Sequence, residues 1–192
     1  MDLSREAIAD ALTRVGERLH AEGQAVALVI AGGAALSLLG IIERATSDVD
    51  VIAWSESGRS EDLTPPPPQL PGALRTAVDA VGKELGLAFD WFDLRVATEW
   101  QLGLPEGFAG RVTWKVYGRA LRVGIAARED LIYFKLVAAA DALHPRHYRD
   151  LIQLKPSDPE LTHAMQEAMR TNVGIDDELA RVAGRVREAR GA

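Results

Sequence analysis

Residues 25–53 read AVALVIAGGAALSLLGIIERATSDVDVIA, and their order decides the fold. Ala25 to Ile30 is an unbroken apolar run of strand length, the pattern of a strand buried on both faces. Gly32-Gly33 interrupts it, a short apolar segment runs to Leu39, and Glu43-Arg44-Ala45-Thr46-Ser47 makes a polar turn. Asp48-Val49-Asp50-Val51-Ile52-Ala53 then reads as a second strand. Residues two apart on a strand project to the same side, so Asp48 and Asp50 share a face while Val49 and Val51 root the strand in the core. Two carboxylates that close repel each other, and a divalent cation relieves the repulsion. The paired glycines let backbone N–H groups approach a phosphate. Strand, glycine turn, short helix and paired acids in this order are the parts of a metal-assisted phosphoryl-transfer site.

The flanks complete a mixed sheet. Upstream, Ser4 caps a helix carrying Ile8, Ala11, Leu12, Val15 and Leu19 at helical spacing, ended by Gly23. Downstream, residues 54–69 carry Ser, Gly, acidic residues and four consecutive prolines, Pro65 to Pro68, and read as an exposed loop outside the sheet. Pro71 opens a helix through Leu74, Ala77, Val78, Val81 and Leu85, with Gly86 at its end. Leu87 to Trp91 reads as a third strand, and Arg111 to Ile125 as a hairpin turning at Gly118-Arg119. Helices follow over Glu129 to Leu143, Pro145 to Leu154, from the capping box at Ser157-Asp158-Pro159-Glu160, and over Asp176 to Arg190. The fold class is therefore α/β: a small mixed sheet with packed helices over residues 1–127, and a helical C-terminal part of the same domain over 128–192.

Composition narrows the function. The chain is 47% hydrophobic and 26% charged, enough apolar residues for a core. With 22 Lys+Arg against 28 Asp+Glu the net charge is −6, so nucleic acid could meet only a local basic pocket and not the surface at large. The absence of cysteine excludes disulfides, thiolate nucleophiles and cysteine-ligated metals. No apolar run reaches the roughly 20 residues of a membrane span, and the acidic, amphipathic start does not read as a secretory signal; a cytoplasmic protein without a membrane partner is expected. Neither Gly-x-Ser-x-Gly nor Gly-x-x-x-x-Gly-Lys occurs, which removes the esterase and P-loop readings.

Ala31-Gly32-Gly33-Ala34-Ala35-Leu36, together with Arg44-Ala45-Thr46-Ser47-Asp48-Val49-Asp50-Val51, resembles the signature of the nucleotidyltransferase superfamily that includes DNA polymerase β. Within it the chain is most similar to minimal bacterial nucleotidyltransferase-like proteins such as the AbiEii and MenA toxins of toxin–antitoxin systems. The resemblance returns at Glu129-Asp130-Leu131-Ile132-Tyr133-Phe134-Lys135-Leu136 and at Arg146-His147-Tyr148-Arg149-Asp150-Leu151. It implies a nucleotidyltransferase-type sheet, an NTP substrate, Mg²⁺ or Mn²⁺ on Asp48 and Asp50, a triphosphate bordered by Gly32 and Gly33, and a contact to it from Lys135. Asp150 matches an essential acid of the toxins, and a cognate antitoxin is an implied partner.

The residues themselves bear on these roles. Lys135 has Leu131, Ile132, Ala138 and Ala139 as helical neighbours, an odd setting for a solvated lysine, and a structural ion pair with Asp150 is the other explanation. Arg44, at the end of the turn before the aspartates, is a candidate phosphate ligand. Fully active relatives place a third carboxylate on a later strand; here Asp90 is the candidate metal ligand, with Asp93 beside it in sequence, although Asp90 could instead cap a short helix through Ala97. His144 and His147 read as surface-helix residues. The expected function is Mg²⁺-dependent transfer of a nucleotide from an NTP to a hydroxyl on RNA, protein or a small molecule. The alternative is a degenerate fold that binds a nucleotide or a protein without catalysis, and the position of a third carboxylate discriminates the two.

Overall fold

Ser4 opens α1 (Arg5–Ala21) as its sequence promises: the hydroxyl accepts from the Ala7 N–H at 3.2 Å, and Ile8, Leu12, Val15 and Leu19 are fully buried beneath the helix. The computed structural model of the protein describes residues 3–94, 100, 103–142, 145–172 and 174–191. They form two compact units, Met1–Gln101 with Ala109–Ala126, and Leu102–Phe108 with Ala127–Ala192.

The first unit is built on a mixed sheet. Strand β1 (Val26–Ala31) is central, with Leu28, Val29 and Ile30 wholly buried. It leads into the short α2 (Gly32–Leu38) and then to β2 (Val49–Ser55), which runs antiparallel to it with Ala31 opposite Asp50. The far edge of β2 carries two short partners. Strand β3 (Leu63–Thr64) pairs antiparallel near its end, and β4 (Phe92–Asp93) pairs parallel near its start. Between them the indole N–H of Trp100 donates to the Ile52 carbonyl, so a backbone acceptor that neither short strand reaches is satisfied. On the other side of β1 lies the hairpin β5 (Thr113–Tyr117) and β6 (Leu121–Ile125), with β6 parallel to β1. Helix α1 packs on this hairpin and on α3 (Gly72–Leu85). The short helix α4 (Phe108–Arg111) precedes β5.

The second unit surrounds α5 (Arg128–Ala142), whose Leu131, Ile132, Tyr133, Leu136, Val137, Ala139 and Ala140 are buried. A helix apolar on most of its surface belongs inside a bundle, and α6 (Pro145–Leu154), α7 (Asp158–Thr171) and α8 (Asp176–Gly191) all pack on it. The capping box at Ser157 and Glu160 forms as its spacing implies. Residues 103–108 join this unit although they precede the last two strands. The Glu106 N–H donates to Glu167 Oε2 at 2.9 Å, and the Phe108 ring meets Phe134 edge-on at 6.1 Å between centroids.

Two expectations fail. Residues 54–69 are not a loop outside the sheet. Trp54 and Ser55 pair with Thr64 and Leu63, and the turn between is closed by Asp62, whose carboxylate accepts from the Ser55 hydroxyl and from the Ser57 N–H at 2.7 Å. The prolines start only after β3 has paired, so the missing N–H groups do not bar the ladder. The third strand, expected at Leu87 to Trp91, lies one step later at Phe92–Asp93. Trp91 is committed elsewhere: its side chain is 1% exposed, its indole N–H donates to the Val78 carbonyl at 3.2 Å, and the Val49 N–H bonds its carbonyl at 2.7 Å.

Candidate active site

The bond pattern of β2 assembles the first unit's acidic groups. Asp50 faces Ala31 across one ladder and Asp93 across the other. Register partners on adjacent strands project to the same side of the sheet, about 5 Å apart, so Asp50 and Asp93 stand side by side. Asp93 is 9% exposed and Asp50 half-buried, while Val49 and Val51 on the opposite face are fully buried. Asp90, the sequence candidate for this role, sits exposed in the turn before Trp91, outside the strand. Its further expected role as a cap involves residues 95–97, which lie outside the described residues.

Gly32 is bound to this arrangement. It has a left-handed φ of 67°, and a Cβ built on it would stand 1.7 Å from Asp50 Oδ2. The Asp50 carboxylate thus lies over the glycine backbone, a position no other residue allows. Gly33 is buried in the first turn of α2. The two halves of the sequence motif are therefore one contact.

Asp48 stands in the extended residue just before β2. Its Oδ1 accepts from the Thr46 hydroxyl and its Oδ2 from the Ser47 hydroxyl, each at 3.1 Å. Thr46 is 1% exposed and is pinned by Leu3, whose N–H donates to the Thr46 carbonyl at 2.6 Å and whose carbonyl accepts from the Thr46 N–H at 3.0 Å. The N-terminal residues thereby fix the turn that aims Asp48. Thr46 and Ser47 were visible in the sequence as a polar turn, but their donor role was not. Arg44 is half-buried in the turn before β2, and its guanidinium donates to the Ala45 carbonyl at 3.2 Å.

Among the described residues no group of three or more Asp, Glu or His side chains is arranged to enclose a metal ion. The donor set fits an ion that needs no protein cage. Mg²⁺ takes one or two carboxylates and completes its octahedron with water and substrate phosphates, which is what Asp48 and Asp50, both reachable by solvent, offer.

In the helical unit Lys135 Nζ lies 2.9 Å from Asp150 Oδ2, with side chains 7% and 0% exposed. Both are inside the bundle, where each charge depends on the other. His147 is half-buried on α6, and His144 lies outside the described residues. No described helix is long and apolar enough to cross a membrane.

The mixed sheet, with its central antiparallel pair ending in a glycine turn against one acid and a further acid in register on the next strand, has the arrangement that the resemblance implies. Comparison by sequence agrees: the chain belongs to the family described as nucleotidyltransferase of unknown function (DUF6036), whose model matches residues 10–153. No curated protein and no solved structure matches the chain.

Proposed function

We propose that the protein transfers a nucleotide from an NTP to a hydroxyl acceptor on RNA, protein or a small molecule, with Mg²⁺ held by Asp48 and Asp50. The observation that carries this reading is the register of Asp93 beside Asp50, whose carboxylate lies over Gly32. A divalent ion bound there supplies positive charge to the phosphate oxygens. Asp48, aimed by Thr46 and Ser47, and Asp50, seated on Gly32, hold their carboxylates in place before substrate arrives. Asp93 takes the proton of the acceptor hydroxyl as its oxygen attacks the α-phosphorus and pyrophosphate leaves. A toxin in a toxin–antitoxin pair is the biological setting that the sequence resemblance supports, an argument by analogy.

The test is incubation with each α-labelled NTP, Mg²⁺ and total RNA or cell lysate. Label should pass to an acceptor, chelation should stop it, and Asp48→Asn with Asp50→Asn should abolish both transfer and Mg²⁺-dependent NTP binding. Asp93→Asn should lower the rate by about 10² to 10⁴ while keeping binding, the range for losing a general base. Unchanged NTP binding in the double variant would refute the site. Intact binding with no transfer under any acceptor would leave the non-catalytic nucleotide-binding reading in its place.

A further inference from the structure

Phe89 is 92% exposed, the most exposed large hydrophobic side chain among the described residues. Next to it the end of α3 and the turn that follows border a half-open cavity of about 380 Å³, lined by Asp79, Gly82, Lys83, Leu87, Phe89 and Trp91 among others. The hollow is built in. A Cβ on Gly82 would stand 2.9 Å from the Trp91 indole nitrogen, so the glycine admits the ring that floors the cavity. Gly86 ends the helix at a left-handed φ of 63° and throws the chain outward to Phe89.

We propose that this patch is a two-fold self-association surface on which Phe89 of each copy enters the cavity of the other. A knob and a hole on the same patch are self-complementary under a two-fold axis, the symmetry of an isologous dimer. A benzene ring fits a cavity of about 150 Å³, so the phenyl group has room here. The charges at the rim match as well. Asp79 and Lys83 lie one helical turn apart on the face that borders the cavity, and among the described residues neither forms an ion pair; Glu84, beside them, is already held by Arg14 and Arg18. The same axis sets Asp79 against the partner's Lys83 twice. Phe89 borders the cavity and still stands 92% exposed, so an occupant must be broad enough to cover the ring as well as fill the hollow, which a second copy does. Two phenylalanines bury about 300–500 Å², short of the roughly 1,000 Å² of a specific interface, so the exposed side of α3 must contribute and the dimer should be of micromolar strength. This inference does not depend on the catalytic reading.

Light scattering on the full chain, in a series up to about 100 µM, two decades above a 1 µM dissociation constant, should give the dimer mass. Phe89→Asp should be monomeric throughout with an unchanged melting temperature, since the side chain touches little of its own fold. Asp79→Lys and Lys83→Asp should each weaken the dimer tenfold or more, and the two together should restore it. A wild-type monomer at the highest concentration overturns the proposal. So does a Phe89→Asp dimer, a double swap that fails to recover, or a monomer whose cavity takes up indole, which would assign the patch to a small ligand.

Discussion

At the residue scale, two contacts carry most of what can be tested. Gly32 and Asp50 are fitted together, so Gly32→Ala forces a Cβ into the Asp50 carboxylate and a left-handed φ on an L side chain. The backbone term alone costs about 1–2 kcal/mol. Both thermal stability and Mg²⁺-dependent NTP binding should fall, and a variant that keeps both would show that Asp50 does not rest on this glycine. Lys135 and Asp150 form the other contact. Removing one member of a buried pair costs about 3–5 kcal/mol, whereas replacing both by apolar groups recovers most of it. In chemical denaturation Lys135→Met should therefore be severely destabilised, and Lys135→Met with Asp150→Leu should regain stability. NTP affinity of that double variant then reads the phosphate role implied by resemblance: a tenfold fall keeps Lys135 at the phosphates, and no change confines it to the fold. The sequence showed Lys135 among apolar neighbours and named Asp150 as its possible partner, because helical spacing exposes a charge out of place. It could not show that the pair closes, since that needs two helices side by side.

At the element scale, the turn from Ser55 to Asp62 is what the composition of residues 54–69 concealed. Asp62 gathers the Ser55 hydroxyl and the Ser57 N–H, the Arg59 N–H donates to Ser55 Oγ at 2.9 Å, and Leu63 can then return along β2. The Ser55 hydroxyl, then the Ser57 N–H, hold the Asp62 carboxyl down at about 2, against an ordinary 3.8. A carboxylate with a depressed folded-state pKa contributes stability above its unfolded value and loses it as pH falls through the folded one. The protection factors of the Ser57 and Arg59 amides, taken against the intrinsic exchange rate at each pH, should thus be full at pH 4 and above and fall progressively toward pH 2. Asp62→Asn should show fast exchange already at neutral pH. Equal protection in wild type and variant would mean that β3 pairing alone closes the turn. Polar, proline-rich composition argues for a loop, and nothing local in it reveals that one acid will find two donors. The strand carrying Asp93 was hidden for a related reason: two residues are too few for an alternating pattern, and only their ladder with Val49 and Asp50 makes them a strand.

At the scale of the whole molecule, ligand binding and folding are linked. A ligand that binds only the native state at about 100 times its dissociation constant adds about 2.7 kcal/mol, several degrees of melting temperature for a chain of this length. Mg²⁺ with NTP should raise the melting temperature by that order, Mg²⁺ alone much less, and Asp48→Asn with Asp50→Asn should remove the shift. What the sequence determined by itself was whatever depends on periodicity and local chemistry. The apolar run at 25–30, the glycine break, the acid pair and the capped, amphipathic helices fixed a mixed sheet with a helical C-terminal part. They also placed a glycine turn and paired acids within residues 32–50. What the tertiary structure decided was every relation between residues distant in the chain. It set Asp93 rather than Asp90 beside Asp50, let Leu3 aim Asp48 through Thr46, and joined residues 103–108 to the helical unit. Strand register and the burial of a charge are set by partners that approach only when the chain has folded, and no window of sequence contains them.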